Sequence, residues 1–210
     1  MSILAVALLA LSPAEARVFG TPITDAPGTE NTPADLSREA MKHIEDYRQD
    51  ARNEVLAYKR QYGNGISTLI TIFNASGTDL VYTGLHDFYG HADRYTPDRV
   101  IRNGQWGTFL HVHPTGEMVG SSGALIYNVG GRTSRMDYLM VGWSVPYTGH
   151  NNSWCRVEDF DSEYTPTGWD TYQDRIENGQ GGQSAYAYHM SCPLGQGSSP
   201  ALEAVVQRTR

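Results

Sequence analysis

The amino-acid sequence predicts an α+β fold built around a β-sandwich. Residues about 33–62 and about 167–178 carry the three- and four-residue apolar spacing of amphipathic helices. Between them, five or six successive segments alternate or run apolar as strands do. Strands that follow one another directly, with helices placed before and after them, are typical of α+β proteins.

The first helix has a recognisable start, face and end. Thr32 supplies a capping hydroxyl, Pro33 suits the first turn, and Asp35 lies three residues after the cap. Gly63 can end the helix because glycine adopts a left-handed cap without strain. The face predicted to pack on a sheet consists of Leu36, Ala40, Ile44, Tyr47, Ala51, Val55, Tyr58 and Tyr62.

The strands are predicted over residues 67–73, 80–85, 105–113, 124–129, 138–145, 155–160 and 184–190. The segment 201–207 fits either a last strand or a short helix. Segments 124–129 and 138–145 form a hairpin with a long connection. Pro146 ends the second of these strands because proline has no N–H for the ladder, and Tyr147 is thereby placed on a rim loop.

Length and composition predict one domain, which we assign to residues 32–210. The chain has 210 residues, of which 40% are hydrophobic and 19% charged. Residues 17–31 are predicted to form an extended arm because Pro, Thr and Gly interrupt them. A net charge of −7 without a cluster of Lys or Arg argues against a nucleic-acid partner.

Residues 1–16 are predicted to be a signal peptide, which implies a secreted protein. The apolar run at residues 3–11 is too short to span a bilayer, and Ala14 and Ala16 give the small-x-small pattern of a cleavage site. If this leader is not a signal peptide, the alternative is a cytoplasmic protein. Cys155 and Cys192 fit a disulfide in a secreted chain.

Two sequons, at Asn74 and Asn151, are candidate glycosylation sites. Both fall in segments that the sequence predicts to be turns. The alternative is that both asparagines are ordinary turn residues.

Four histidines are the candidate metal ligands. His111 and His113 are two residues apart on a predicted strand and therefore share a face, and His86 and His91 flank a loop one strand earlier. These imidazoles could bind Zn²⁺ or Cu²⁺ in a metal-dependent enzyme. No metal motif, nucleophile elbow or phosphate loop accompanies them. We therefore predict a protein that is not an enzyme and has no cofactor.

Aromatic residues are frequent at the predicted loops. Tryptophan and tyrosine present an apolar body with a polar edge, which suits contact with carbohydrate, lipid headgroups or protein. The alternative is that about half of them belong to the core. They are Phe88, Tyr89, Trp106, Trp143, Tyr147, Trp154, Trp169 and Tyr172.

A first resemblance rests on six segments in a fixed order. They are Val18-Phe-Gly-Thr-Pro-Ile23, Gln61-Tyr-Gly-Asn-Gly65, Asn103-Gly-Gln-Trp106, Phe109-Leu-His-Val112, Gly120-Ser-Ser-Gly-Ala124 and Trp143-Ser-Val-Pro146. With these segments the chain after Arg17 resembles the plant 23 kDa jasmonate-induced proteins. That resemblance implies a stress- or defence-responsive protein related to fungal lipid-binding proteins of the Nakanori type.

A second, more distant resemblance rests on the segment from Gly120 through the Ser144-Val-Pro-Tyr147 turn to Trp154. This segment is similar to the actinoporins, as are the order of the second helix and the closing segment 201–206. The resemblance implies an actinoporin-like β-sandwich flanked by two helices, with a phosphocholine pocket near the turn. The predicted ligand-binding residues are Ser122, Ser144, Pro146, Tyr147, Trp154, Trp169 and Tyr172.

Three functions follow from these patterns. The first is a non-enzymatic stress- or defence-related protein that recognises a membrane-lipid headgroup, of the phosphocholine or sphingomyelin kind, or a carbohydrate at the rim formed by residues 144–147. The second is a pore-forming cytolysin that inserts its first helix. The third is the metal-dependent enzyme. For the first function we expect peripheral membrane contact, and the sequence leaves the oligomeric state open.

Overall fold

The structure, a computed structural model, describes residues 14–130, 136–160, 168–179, 181–184 and 187–210. It confirms the predicted α+β fold, in which two sheets pack face to face and helices cover their outer surfaces. Helices α1 (Pro33–Lys42) and α2 (Arg48–Tyr62) lie on one sheet, and α3 (Trp169–Glu177) lies on the other. None of the helices in these ranges is both long enough and apolar enough to cross a membrane.

The strands follow the predicted order, with short additional pieces. In chain order they are β1 (Ala14–Glu15), β2 (Ser67–Ala75), β3 (Leu80–Tyr89), β4 (His91–Ala92), β5 (Tyr95–Thr96), β6 (Val100–Ile101), β7 (Trp106–Val112), β8 (Ser121–Val129), β9 (Met136–Val145), β10 (Asn152–Phe160), β11 (Gly181–Gly182), β12 (Tyr188–Ser191) and β13 (Ala201–Arg208).

The five-stranded sheet has the order β12-β13-β2-β7-β4 and the six-stranded sheet the order β11-β10-β9-β8-β3-β6, while β1 pairs with β5. The segment 201–207, which fitted a strand or a helix, is strand β13, parallel to β2. The buried Ser37 of α1 ties the helix to both strands. Its hydroxyl oxygen lies 2.5 Å from the carbonyl oxygen of Ala75 and 2.8 Å from that of Arg208, and it accepts from the N–H of Arg208 at 3.0 Å.

Side chains that alternate inward along both sheets form the main core. Ile70 and Phe109 of the five-stranded sheet and Leu125 and Val141 of the six-stranded sheet are at most 1% exposed. The disulfide between Cys155 on β10 and Cys192, which follows β12, links the two sheets along one edge.

The predicted single helix over residues 33–62 forms as two helices, which corrects that prediction. Residues 43–47 turn between them, and Tyr47 adopts a left-handed conformation with φ of 58°. In an unbroken helix the carbonyl of Ile44 would accept from the N–H four residues later. Here the indole N–H of the buried Trp106 donates to it at 3.1 Å. This tertiary hydrogen bond accompanies the break, which a local apolar pattern does not reveal.

Helix α2 is held on the five-stranded sheet by an ion cluster as well as by apolar packing. Arg48 and Arg52 both pair with the carboxylate of Glu203 on β13, the second at 2.7 Å. Burial acts to raise the pKa of Glu203, but the hydrogen bonds and charges of the two arginines outweigh it, so the pKa lies below its ordinary value. Glu203 is therefore an anion that anchors the helix.

The strained turn supplies a stability test. Tyr47 is 49% exposed, and a left-handed conformation costs a residue with a Cβ about 1 kcal/mol or more. Tyr47→Gly should therefore unfold at a higher urea concentration than Tyr47→Ala, which removes the same ring and keeps the strain. Equal midpoints for the two variants would contradict a left-handed residue at this turn.

Candidate functional site

The site lies on the outer face of the six-stranded sheet, where α3 ends. Ser122 is paired with Ser144, and Ser144 with Asn152, so these three side chains form a row across β8, β9 and β10 on one face. Two residues further along each strand, the same face is covered by Ile176 of α3. Helix α3 ends at Glu177 and does not cover this row, in which Ser122 and Ser144 are nevertheless only 2% and 6% exposed.

The row of Ser122, Ser144 and Asn152 forms the floor of a cleft of about 370 Å³. Pro146 ends β9, as predicted, and the loop that follows forms one wall. Gly120 is required at the base, because a Cβ there would overlap the carbonyl of Val145. The cleft is lined by Tyr89, Gly120, Ser122, Ser144, Val145, Pro146, Thr148, Gly149, His150, Asn152 and Glu177.

The charge in the cleft is negative. Glu177 belongs to the last turn of α3, and its backbone carbonyl accepts from the side-chain amide of Asn152 at 2.6 Å. The C-terminal end of a helix carries a partial negative charge, to which the Glu177 carboxylate adds. The described residues that line the cleft include no Lys or Arg. The arrangement favours a cation or the cationic part of a ligand.

Two tyrosines stand exposed at this end of the sheet. Tyr89 is 48% exposed and lines the cleft, and Tyr147 is 53% exposed on the adjacent loop. The hydroxyl of Tyr89 is 3.4 Å from the amide nitrogen of Gln173 on α3. Exposed tyrosine faces can contact a quaternary ammonium by cation–π attraction.

The seven predicted ligand-binding residues fall into two groups. Ser122, Ser144 and Pro146 line the cleft, with Tyr147 beside it. Trp154, Trp169 and Tyr172 instead hold α3 on the sheet and are absent from the cleft wall, which differs from the single predicted pocket.

The contacts of this second group are those of a packing interface. The ring of Trp169 stacks on His86 at 3.8 Å between centroids, with the two planes 3° apart. Trp154 is buried, and the Tyr172 hydroxyl donates to Glu158 at 3.2 Å. Burial raises the pKa of Tyr172, and the neighbouring charge of Glu158 raises it further.

Sequence reasoning missed several cleft residues. Tyr89, His150, Asn152 and Glu177 line the cleft but are not among the predicted ligand-binding residues, although Asn152 and Glu177 lie on β10 and α3, which supplied the predicted Trp154 and Trp169. Asn152 could have been found from the strand register, because it directly faces the predicted Ser144. No local pattern marks Glu177, whose position depends on where α3 crosses the sheet.

The four histidines do not form a metal site. His86 stacks on Trp169, His113 lies edge-on to Tyr62, and His111 is buried between the sheets. Within the described ranges, no group of three or more His, Cys, Asp or Glu side chains lies close enough to hold a metal. The geometry therefore gives the metal-dependent enzyme no support.

Both sequon asparagines are buried, Asn74 completely and Asn151 to 7% exposure. The amide nitrogen of Asn74 donates to the carbonyls of Thr78 and Ile101, and that of Asn151 donates to Gly195 and Gly197. A glycan on either nitrogen would displace these hydrogen bonds. The placement favours a structural role for both residues, although Asn74 lies within strand β2 and not in the predicted turn.

The fold is that of a β-sandwich protein with a polar cleft at one end of its six-stranded sheet. The sequence matches the Nakanori-like protein family over residues 22–209, and the chain belongs to that family. A relative from Hordeum vulgare, the 23 kDa jasmonate-induced protein, is 34% identical over 197 residues, which cover 87% of this chain and 93% of the relative. Membership of this family confirms the first resemblance.

One solved structure shares the fold of this chain. The crystal structure of the lipid-binding protein Nakanori superposes with a TM-score of 0.82 and 24% identity, covering 91% of this chain and all of that one. The RahU protein in complex with TRIS matches at a TM-score of 0.44 and 12% identity, over 68% of this chain and 95% of that one. The first match confirms the architecture, whereas the second is too distant to support an argument.

The seating of α3 can be tested at Gly142, whose hydrogen faces the helix. A Cβ there would overlap the side chain of Ile176. Gly142→Ala should lower the free energy of unfolding by about 1–3 kcal/mol, the usual range for overpacking, because α3 must move. The matched control is Gly84→Ala on β3, where a Cβ meets open space. If urea denaturation gives the same loss in free energy of unfolding for Gly142→Ala and Gly84→Ala, α3 does not pack on Gly142.

Proposed function

We propose that this protein binds the choline-type headgroup of a membrane lipid in the cleft, as a peripheral membrane protein that does not form pores. The observation that carries the proposal is a cleft without Lys or Arg in which an acidic helix end is paired with the exposed Tyr89. A quaternary ammonium is the part of a phosphocholine or sphingomyelin headgroup that such a cleft suits. The lipid-binding description of Nakanori supports the same class of ligand.

The remaining polar groups suit the phosphate of such a headgroup. Ser144 and His150 both line the cleft, and the hydroxyl of the first and the imidazole of the second can donate hydrogen bonds. A zwitterionic headgroup would then lie across the cleft with its cation toward Glu177. The net charge of −7 also disfavours an anionic bilayer, because juxtamembrane binding to such a surface depends on Lys and Arg.

Carbohydrate is the alternative ligand, and one experiment distinguishes it from a lipid headgroup. Sedimentation of the protein with phosphatidylcholine or sphingomyelin vesicles should show binding that free phosphocholine competes away. Phosphatidylglycerol vesicles should not bind. Binding to a glycan array together with failure on all vesicles would replace the lipid with a sugar at the same cleft.

Two substitutions test the cation directly. Tyr89→Ala should weaken binding to phosphatidylcholine vesicles about two- to tenfold, because one cation–π contact contributes about 0.5–1 kcal/mol or more. Glu177→Gln should weaken it by a similar factor, since it removes the carboxylate and keeps the shape. The controls are Tyr47→Ala and Glu30→Gln. The first removes an equally exposed ring from the turn between α1 and α2, and the second removes a carboxylate from the N-terminal arm. If the control variants lose as much affinity for the vesicles, Tyr89 and Glu177 do not bind the cation.

We expect bound vesicles to remain sealed. Ala40, Ala51 and Val55 bury the inner faces of α1 and α2 against the five-stranded sheet, and Glu203 holds two arginines of α2. Detaching these helices for insertion would expose apolar core and leave Glu203 without its cations. Sphingomyelin vesicles loaded with a self-quenched dye should therefore bind the protein without releasing dye. Release that stops when a disulfide locks α2 to β13 would establish a pore-former.

We also propose a secreted, stress-related role. The Cys155–Cys192 disulfide fits an oxidising compartment, and the barley relative is named for its induction by jasmonate. Immunodetection of the protein in extracellular fluid tests the location. Retention of the whole protein inside the cell would favour the cytoplasmic alternative.

A further inference from the structure

A chain of hydrogen bonds crosses the core directly beneath the cleft, and His111 is its centre. His111 lies on β7 and is completely buried. Its Nδ1 is 2.8 Å from the hydroxyl of Ser121 on β8, and its Nε2 is 3.1 Å from a carboxylate oxygen of Asp87 on β3. Ser121 is in turn 2.8 Å from the hydroxyl of Thr68 on β2. The imidazole therefore joins the two sheets through polar contacts.

The surroundings select one protonation form of this imidazole. The indole N–H of Trp143 points at Nδ1 from 3.4 Å, and an indole nitrogen can only donate. Nδ1 must then accept, so the single ring proton is on Nε2 and is donated to Asp87. A second proton, on Nδ1, would oppose the indole N–H and would place a charge in the core.

The ionisable groups around the ring are few. Asp87 on β3 and His91 on β4 act on it, whereas β2, β8 and β9 present the uncharged Thr68, Ser121 and Trp143. Burial lowers the pKa of His111, the hydrogen bond and charge of Asp87 oppose that effect, and His91 adds to it.

The partners of His111 are next to residues that line the cleft. Ser121 lies between Gly120 and Ser122, and Asp87 lies two residues before Tyr89. The pairing of β3 with β8 shifts register between Asp87 and Tyr89, an irregularity of the kind that re-aims a side chain. The backbone at Gly90 rests on the imidazole, since a Cβ there would lie 2.7 Å from its Cε1. The ring thus supports both strands that carry the cleft.

We propose that His111 is a positioning residue for the cleft and that uptake of a second proton by its imidazole releases the bound headgroup. This inference rests on the proposed headgroup function and adds its regulation by pH. In the neutral form, the donors and acceptors of Asp87, Ser121 and Trp143 all match. In the protonated form the indole contact is lost, and the strands that carry Tyr89 and Ser122 shift relative to each other.

The test measures binding to phosphatidylcholine vesicles from about pH 8 to about pH 5, the range in which histidines titrate. For the wild type, affinity should fall by up to about tenfold per pH unit once the folded protein takes up this proton. The indole N–H resonance of Trp143 in ¹⁵N-tryptophan-labelled, lipid-free protein should move with the same midpoint. Circular dichroism at each pH separates release from unfolding.

Three variants distinguish positioning from a merely structural role. Asp87→Asn keeps an acceptor for the Nε2 proton and removes the charge that favours the imidazolium, so the release midpoint should move to lower pH. His111→Gln retains an amide that can bridge the partners without titrating, and its binding should be independent of pH. His150→Gln removes the histidine proposed to contact the phosphate; it should weaken binding but should not abolish the loss of binding at low pH.

The outcomes separate this inference from the headgroup function. Wild-type binding that persists unchanged at about pH 5 overturns the inference and leaves the headgroup function standing. Absence of vesicle binding at every pH removes the headgroup function, and the inference falls with it even if the Trp143 resonance titrates. If His111→Gln does not fold, Asp87→Asn decides the matter: an unmoved midpoint overturns the inference, and a lowered midpoint supports it.

Discussion

The face-to-face packing of two sheets is the constraint on which the rest of the structure depends. Because side chains alternate along a strand, the choice of Leu125, Val141 and Cys155 for the interior fixes which residues face outward. On the six-stranded sheet this leaves Ser122, Ser144 and Asn152 as an aligned outer row. The apolar residues two positions further along receive α3. The cleft is thus a by-product of core packing combined with a helix that covers only part of the sheet.

Much of the fold could be predicted because it is encoded locally. The capping box of Thr32 and Asp35, the stop at Pro146 and the alternation of the strands depend on neighbours in sequence, and each forms as predicted. The break between α1 and α2 depends instead on Trp106, 62 residues from the carbonyl to which it donates. A regular apolar spacing through residues 43–47 carries no sign of such a partner.

The site was predicted less completely because it is assembled from distant segments. The resemblance put Ser122, Ser144 and Pro146 in one pocket, and these residues line one cleft because they belong to one hairpin or follow it directly. It also placed Trp169 and Tyr172 in the same pocket, although their rings are used to seat α3. His111 on β7 and His113 just after it were predicted to share a face, yet His111 is buried in the core and His113 lies edge-on to Tyr62. Residue type suggested metal chemistry, whereas the surroundings of His111 supply hydrogen bonds to side chains.

The parallel pairing of β13 with β2 has a consequence for how the chain is made. β2 is the first long strand to be synthesised and β13 the last, and they lie side by side at the centre of the five-stranded sheet. The hydrogen bonds between the Ser37 hydroxyl and the backbone of Arg208 also form only after Arg208 has been synthesised. Contacts of such long sequence separation form slowly, and an unpaired central strand is exposed until its partner arrives. During synthesis β2 therefore lacks its parallel neighbour until β13 has emerged, and the five-stranded sheet cannot be completed before then.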